Sequence, residues 1–171
     1  MKKIVVYIII AISAFGQNGA LFLDGQGDYL QLPQPIIDSD VFTIEAWFQM
    51  YDDGGDEAQQ RNIFCQRSDL IECNSSIIVL NAKAINESLK SAFTVRSEQE
   101  CSDIVTAPFS SVGEWHHLVA VKTANEISLD TDGQFGAITS IAQEGSYDSG
   151  IDHIDIGRHT WEGISRGYSL G

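Results

Sequence analysis

Residues 113–134 read GEWHHLVAVKTANEISLDTDGQ, and this stretch decides the fold class. Its first half alternates as a β-strand does, because successive strand side chains point to opposite faces of a sheet. The adjacent histidines therefore cannot converge on one metal ion, and we expect structural roles, with one ring buried beside Trp115 and the other facing outward. The two predicted faces are Trp115, His117, Val119 and Val121, and His116, Leu118, Ala120 and Lys122.

The second half of the stretch predicts a β-hairpin. The run EISLDT is followed by Asp132-Gly133, a pair typical of two-residue turns because glycine readily adopts a positive φ. Asp130 and Asp132 also suggest a calcium loop. However, the third ligand, the following glycine and the distal glutamate of an EF-hand are missing. A hairpin turn is therefore the favoured interpretation.

Period-two alternation recurs along the chain. In VFTIEAWFQM, residues 41–50, apolar side chains alternate with mostly polar ones. Similar short runs are DYLQLP, RNIFCQRS, SSIIVLNAK, SAFTVRSE and HIDIGR. No window shows a sustained helical period. Many short strands in a chain of this length predict one all-β domain, a sandwich or a barrel.

The N-terminal residues 1–16, MKKIVVYIIIAISAFG, predict a secretory signal peptide. Lys2 and Lys3 precede an apolar run, and Ala14 and Gly16 are small residues at the spacing a signal peptidase accepts. A membrane anchor is the alternative, but the run is shorter than the roughly 18 residues that a span requires. We therefore predict cleavage, a mature domain over residues 17–171, export to the extracellular space or cell surface, and no membrane insertion.

The chain is acidic, with a formal net charge of -14 at pH 7. Such a chain repels phosphate backbones and anionic lipid headgroups, so nucleic acid and membrane surfaces are excluded as favoured partners. A calcium ion, or a neutral partner such as a glycan, suits this charge better.

Three cysteines are present, Cys65, Cys73 and Cys101. Export permits a disulfide. Because the number of cysteines is odd, at least one thiol stays free or pairs with another chain. We expect Cys73 to pair with Cys101, because both lie near the ends of predicted strands. The pair Cys65 and Cys73, which closes a shorter loop, is the alternative.

Five segments follow one another in an order that resembles laminin-G-like domains of the concanavalin A-like lectin/glucanase superfamily. They are ALFLDGQGDYLQLP, FTIEAWFQ, NIFCQRSD, GEWHHLVAVKTANEISLDTDGQ and IDIGRH, spanning about residues 20 to 160. The resemblance implies an all-β jelly-roll sandwich of two antiparallel sheets. It also implies that Glu45, Trp47 and Trp115 are framework residues, and we assign His117 to the framework with them.

The sequence departs from the family at its end. Members close with a strand beside the first strand, whereas Gly171 stands about where that strand would begin, so the last strand is expected to be absent. A truncated product is the favoured explanation, and a strand supplied by another chain is the alternative. The family often binds calcium between the first-strand loop and the last strand, which makes Asp24, Gly25 and Asp28 the candidate ligands. Turn chemistry around the glycines is the other interpretation of these residues.

Catalysis is not expected. Glycosidases of the superfamily carry their carboxylates as E-x-D-x-E on one strand, whereas Asp152 and Asp155 are three apart and point to opposite faces. No nucleophile elbow, HExxH or phosphate loop is present. A degenerate glycosidase-like domain stays open as an alternative.

Binding of a glycan or an extracellular protein is the expected function, and a structural spacer within a larger cell-surface adhesin is the alternative. Sugar recognition requires exposed aromatic rings and hydrogen-bonding groups. The candidates lie in the irregular C-terminal stretch, and they are Trp161, Glu162, Arg166 and Tyr168. Trp161 alternatively packs beneath the missing strand.

Overall fold

A computed structural model describes residues 20–23, 28–51, 61–67, 77–85, 88–96, 103–140, 154–157, 160–161 and 164–165. Within these residues the secondary structure is entirely β, and no helix suitable for crossing a bilayer occurs among them. The strands are β1 (Leu30–Leu32), β2 (Phe42–Gln49), β3 (Arg61–Arg67), β4 (Ile77–Ile85), β5 (Ser88–Arg96), β6 (Asp103–Pro108), β7 (Trp115–Lys122), β8 (Glu126–Thr131), β9 (Gln134–Ser140), β10 (Ile154–Ile156), β11 (Thr160–Trp161) and β12 (Ile164–Ser165).

The strands form two main antiparallel sheets and a small separate hairpin. One sheet has the order β1-β10-β3-β4-β5-β6, the other has the order β2-β7-β8-β9, and β11 pairs with β12. The two sheets pack face to face, and buried side chains from both form one hydrophobic cluster. The predicted two-sheet sandwich is therefore confirmed.

The predicted alternation is confirmed in β2 and β7. Phe42, Ile44 and Phe48 are buried, whereas Glu45 and Trp47 on the intervening positions are exposed. The two strands pair over eight consecutive positions without a register shift. The predicted turn is also confirmed, because Asp132 and Gly133 have φ values of 56° and 74° between β8 and β9. Four strands are not among the runs predicted from the sequence, namely β6, β9 and the two-residue strands β11 and β12.

Aromatic and aliphatic side chains fill the space between the sheets. Phe42 of the four-stranded sheet meets Phe93 of the six-stranded sheet edge to face, with ring centroids 6.2 Å apart. Leu80, Leu118 and Leu129 are fully buried around them. Each such side chain stabilises the fold by about 1.5–3 kcal/mol relative to exposure. This core makes the outer surface of β2 and β7 a rigid support.

Lys122 brings a charge into the end of the sandwich. Its face of β7 points inward, and the side chain is fully buried. The ammonium group donates to the carbonyl oxygens of Asp40, at 2.7 Å, and Thr123, at 3.1 Å. Burial lowers the pKa of Lys122, while the nearby Asp40 carboxylate opposes that shift. The two main-chain carbonyls therefore replace hydrogen bonds to water that the ammonium group loses on burial, which lowers the cost of burying it.

The two sheets approach each other closely at Gly136 of β9 and Ala107 of β6. A Cβ atom at position 136 would lie 2.6 Å from the Cα of Ala107 and would overlap its Cβ. The absence of a side chain at Gly136 therefore lets the edges of the two sheets meet.

We expect Gly136→Ala to destabilise the protein by about 1–3 kcal/mol, because the added methyl group overlaps backbone as well as side-chain atoms. Urea denaturation of the variant measures the loss. The double variant Gly136→Ala, Ala107→Gly restores space at the contact and is expected to recover part of it. Additive effects of the two substitutions, within about 0.5 kcal/mol, would contradict the direct contact.

Candidate functional site

The outward side of β2 and β7 carries an exposed aromatic surface. The register places Trp47 opposite His117 and Gln49 opposite Trp115. Trp47 is 65% exposed and Trp115 is 51% exposed. Side chains diagonal to each other across two strands lie close enough for large rings to form one surface. We call this surface, formed by Glu45, Trp47, Gln49, Trp115 and His117, the aromatic face.

Contacts within the aromatic face fix the orientation of its central ring. The Trp47 indole stacks on the His117 imidazole, with centroids 4.6 Å apart and an interplanar angle of 26°. The Nε2 atom of His117 lies 2.7 Å from Oε1 of Glu45. Because an ionised carboxylate only accepts hydrogen bonds, Nε2 is the donor. The Trp47 ring therefore lies on an oriented imidazole, and one of its flat sides faces solvent.

Gln49 joins the aromatic face to the loop before β7. Its Nε2 donates to the carbonyl oxygen of Gly113 at 2.6 Å, and its Oε1 accepts from Tyr51 Oη at 3.2 Å. The Tyr51 ring in turn meets Phe22 edge to face, at 5.9 Å. Exposed aromatic rings thus continue beyond the end of β2. A ligand longer than one small ring could contact both parts of the surface.

The neighbouring histidine, His116, has a different environment. It is buried, and its ring packs against Phe48 and Phe109, with centroids 5.4 and 4.8 Å away. Nδ1 lies 2.7 Å from the Asp132 carboxylate and Nε2 lies 2.8 Å from the carbonyl oxygen of Ser111. Both ring nitrogens therefore lie within hydrogen-bond distance of an oxygen from another part of the chain. His116 therefore connects two loops and directs neither nitrogen toward solvent, which suits a structural role.

Asp132 completes this connection from the hairpin turn. Its Oδ2 faces His116, and its Oδ1 accepts from the main-chain N–H of His117 at 2.8 Å. Burial alone would raise the pKa of Asp132. The hydrogen bonds from the His116 ring and the His117 N–H outweigh that effect and hold the pKa below its ordinary value of 3.8. The turn residue is thus an ionised anchor for β7.

A recess lies beside Asp132, lined by Pro108, Phe109, Ser110, Thr131, Asp132 and Gln134. Each Asp132 oxygen already accepts a hydrogen bond from β7. The Asp132 carboxylate, which is the charged group of the recess, is therefore already bonded within the fold. The aromatic face, whose large rings contact solvent, is the stronger candidate for a binding site.

The structure modifies the interpretation of three residues near the aromatic face. The sequence interpretation expected a histidine buried beside Trp115, but the buried ring is His116, on the opposite face of β7 from Trp115. It also placed Trp47 and Trp115 in the framework, and both are exposed. The residue pattern contained the signal, because Trp47 shares its face of β2 with polar residues rather than with the phenylalanines.

Most of the other predicted site residues lie outside the part of the chain that the structure describes. Glu162, Arg166 and Tyr168 lie outside the described residues, and Trp161 is described only as a β11 residue paired with Ile164. The predicted disulfide, Cys73 with Cys101, also lies outside them. Cys65 of the alternative pairing is buried in β3. These expectations stay predictions.

Only one of the three predicted calcium ligands lies within the described residues. Asp28 is exposed just before β1, whereas Asp24 and Gly25 lie outside the described residues. Within the part of the chain that the structure describes, no three histidine, cysteine, aspartate or glutamate side chains are grouped to hold a metal ion. The described residues alone therefore do not form the predicted site.

The chain belongs to the concanavalin A-like lectin/glucanases superfamily, because a laminin G family of that superfamily matches residues 24–167. No curated protein matches the chain. The family match confirms the resemblance drawn from the FTIEAW and GEWHHLVAV segments.

Solved structures with similar folds include both binding modules and a hydrolase. The CBM40 module of the Ruminococcus gnavus IT-sialidase has a TM-score of 0.60 and 12% identity, over 77% of this chain and 71% of that chain. Domains LG4-5 of the mouse laminin α1 chain have a TM-score of 0.60 and 19% identity. The match covers 84% of this chain but 36% of the laminin chain. SCLam, an endo-β-1,3(4)-glucanase of family GH16, has a TM-score of 0.50 and 14% identity, over 75% of this chain and 50% of that chain. At these identities the likeness shows the fold alone.

We expect Asp132→Asn to destabilise the protein by about 1–3 kcal/mol at pH 7, because the buried His116 ring loses its charged acceptor. The pKa of Asp132 is lower in the folded than in the unfolded state. Its contribution is therefore fully present above about pH 4 and is lost as the pH falls through the folded-state value.

Urea denaturation of the wild type and the variant between pH 2 and pH 7 measures this difference. The difference should shrink in acid. Glu126→Gln, at an exposed position on the same hairpin, is the matched control and should leave the profile unchanged. A difference for Asp132→Asn that is constant across the pH range would refute the role assigned to its charge.

Proposed function

We propose that this member of the concanavalin A-like lectin/glucanases superfamily is a secreted, non-catalytic recognition module that binds neutral glycans through the aromatic face. The observation that carries the proposal is the pair of exposed indoles, Trp47 and Trp115, on one rigid sheet surface. Contiguous exposed apolar surface of this kind often marks a ligand or partner site. An extracellular protein is the second class of ligand.

The chemistry of the aromatic face suits a sugar ring. A pyranose presents C–H groups on its flat sides and hydroxyl groups around its rim. The exposed side of the Trp47 indole can cover the C–H groups, which removes apolar surface from water. Glu45 uses Oε1 for His117, so its Oε2 can accept a hydrogen bond from a hydroxyl group. Stacking on His117 orients the indole before binding, which reduces the entropy cost of association.

Charge favours neutral over acidic glycans. The Ruminococcus gnavus module is described in complex with α2,3 sialyllactose, a ligand that carries a carboxylate. In strands β2, β7, β8 and β9 of this chain, the only Lys or Arg is Lys122, whose side chain is buried in the core. Glu45 lies on the aromatic face, and the whole chain has a net charge of -14. An acidic sugar would therefore meet repulsion without a compensating cation.

The non-catalytic assignment is supported by the environment of one candidate carboxylate. Asp155 is 1% exposed and accepts a hydrogen bond from Gln31 Nε2 at 3.2 Å. Its partner in the glycosidase alternative, Asp152, lies outside the described residues. A buried carboxylate that is hydrogen-bonded within the sheet is poorly placed to protonate a glycosidic oxygen.

We expect Trp47→Ala to weaken binding of neutral oligosaccharides by about tenfold or more, because the stacking surface is lost. A glycan array first selects the sugar among gluco-, galacto- and manno-oligosaccharides, with sialyllactose included as an acidic probe. Isothermal titration with the selected sugar then compares wild type and variant. Sialyllactose should bind more weakly than the neutral sugar.

Phe135→Ala is the matched control, because Phe135 is 62% exposed on β9, at the far side of the same sheet. This variant should keep full affinity. If Trp47→Ala binds as well as the wild type, the aromatic face is not the site. If no sugar on the array binds, the spacer interpretation is favoured instead.

Calcium support of the fold is the other proposal, and a thermal melt checks it. If the segment from Asp24 to Asp28 holds calcium, the ion should raise the Tm relative to chelator by binding only the folded state. Asp28→Ala should abolish that rise. Identical melts with calcium and with chelator would show that the acidic residues serve turn chemistry alone.

A further inference from the structure

Two side chains of the aromatic face meet on one residue of β7. Glu45 Oε1 lies 2.7 Å from His117 Nε2, and the Trp47 indole stacks on the same imidazole with centroids 4.6 Å apart. Both side chains therefore extend over β7, and these contacts do not depend on what lies beside the outer edge of β2. A ring N–H donates close to the plane of its ring, whereas the indole covers the flat side of that ring. The Glu45 carboxylate thus lies beside the stack formed by Trp47 and His117.

A second carboxylate points outward from the same sheet. Glu45, Val119 and Asp130 are successive partners in the register of β2, β7 and β8. The neighbours of Asp130 along β8 are buried, so its own side chain is on the outward side. Two strand spacings, about 9.5 Å, separate it from Glu45. In strands β2, β7, β8 and β9 the only Lys or Arg is the buried Lys122. These strands therefore bring carboxylates, and no exposed lysine or arginine, to the outward side.

This charge distinguishes among groups at the rim of a bound sugar. A pyranose on the exposed side of Trp47 presents its rim to Glu45, whose Oε1 bonds to His117 and whose Oε2 can accept a further hydrogen bond. A hydroxyl group supplies a neutral donor there. An ammonium group supplies a charge-assisted hydrogen bond, which is roughly twice as strong, and the flat side of the indole attracts it as well. An N-acetylated amine has no charge and loses both advantages.

We propose that the aromatic face prefers oligosaccharides of hexosamines whose amino groups are free, and that Glu45 determines this specificity. The sugar ring stacks on Trp47 while its ammonium group donates to Glu45. Asp130 strengthens the attraction only through its more distant charge. The inference rests on the proposed function and narrows the ligand to one class of sugar.

Isothermal titration of the full chain tests the preference. The probes are β-1,4-linked tetramers of glucosamine, N-acetylglucosamine and glucose, and the corresponding tetramers of the galactose series. They are compared in a low-salt buffer in which the free amines are protonated. In a series that binds, the free-amine tetramer should bind about tenfold more tightly than either uncharged tetramer, and added salt should reduce that difference. Equal or weaker binding of the free-amine tetramers in both series would overturn the proposal.

Glu45→Gln tests the residue that carries the specificity. The amide oxygen of glutamine can still accept from His117 Nε2, so the orientation of Trp47 is kept. The variant should bind the uncharged tetramer within about threefold of the wild type and lose most of the tenfold preference for the free amine. A preference that persists in full would overturn the role of Glu45.

Asp130→Asn is the matched control, because it removes the same charge from the same side of the sheet. Its amide oxygen can still accept from the N–H of Gly133 in the turn. At about 9.5 Å in water the lost attraction corresponds to about twofold or less in affinity, so the preference should remain. An equal loss in Asp130→Asn and Glu45→Gln would assign the preference to the overall charge and overturn the local contact.

Trp47→Ala separates failure of this inference from failure of glycan binding. The variant should bind both the free-amine and the uncharged tetramers about tenfold more weakly. Free-amine binding that survives this substitution would show general attraction to an acidic protein and overturn the site. Uncharged tetramers that bind through Trp47 without an amine preference would leave the glycan proposal standing and overturn this one. Absence of binding by every probe and by every sugar on the array would overturn both.

Discussion

The uninterrupted pairing of β2 with β7 is the constraint on which the rest of the structure depends. Because side chains alternate with a period of two, a slip of one residue would move every side chain of β2 to the other face. Phe48 would then leave the core, and Trp47 would enter it. The same register determines which main-chain groups of β2 bond to β7. The buried Phe48 and the exposed aromatic face are therefore two consequences of one pairing.

This dependence explains which features the sequence could predict. The alternation in FTIEAWFQ and WHHLVAVK is strong, so both strands and the division of their faces follow from residue types alone. The Asp132-Gly133 turn is equally local, because glycine at a positive φ closes a two-residue hairpin. β9 was missed since Gly136 interrupts its pattern and a bulge shifts its register. A glycine there makes sense only once Ala107, distant in sequence, is known to lie against it.

The candidate site was less predictable for a related reason. Alternation shows that Trp47 and Phe48 face opposite ways, but coverage of a face depends on strands far away in the sequence. The sequence therefore predicts a ligand role for the C-terminal Trp161, which stays a prediction, and a framework role for Trp47. The polar residues that share the face of Trp47 indicate its exposure. The contact between His116 Nδ1 and the Asp132 carboxylate could not be predicted either, because it depends on the position of the hairpin turn beside β7.

The buried basic side chains and the exposed surface have different roles. Lys122 and the His116 ring are buried, and their hydrogen bonds end on main-chain carbonyls or on Asp132. Most of the acidic side chains whose burial the structure describes are exposed, and the net charge of -14 gives the protein a negative field. Strands β2, β7, β8 and β9 bring no exposed lysine or arginine to that surface. The proposed discrimination against acidic ligands thus rests on the charge of the whole chain as well as on the site.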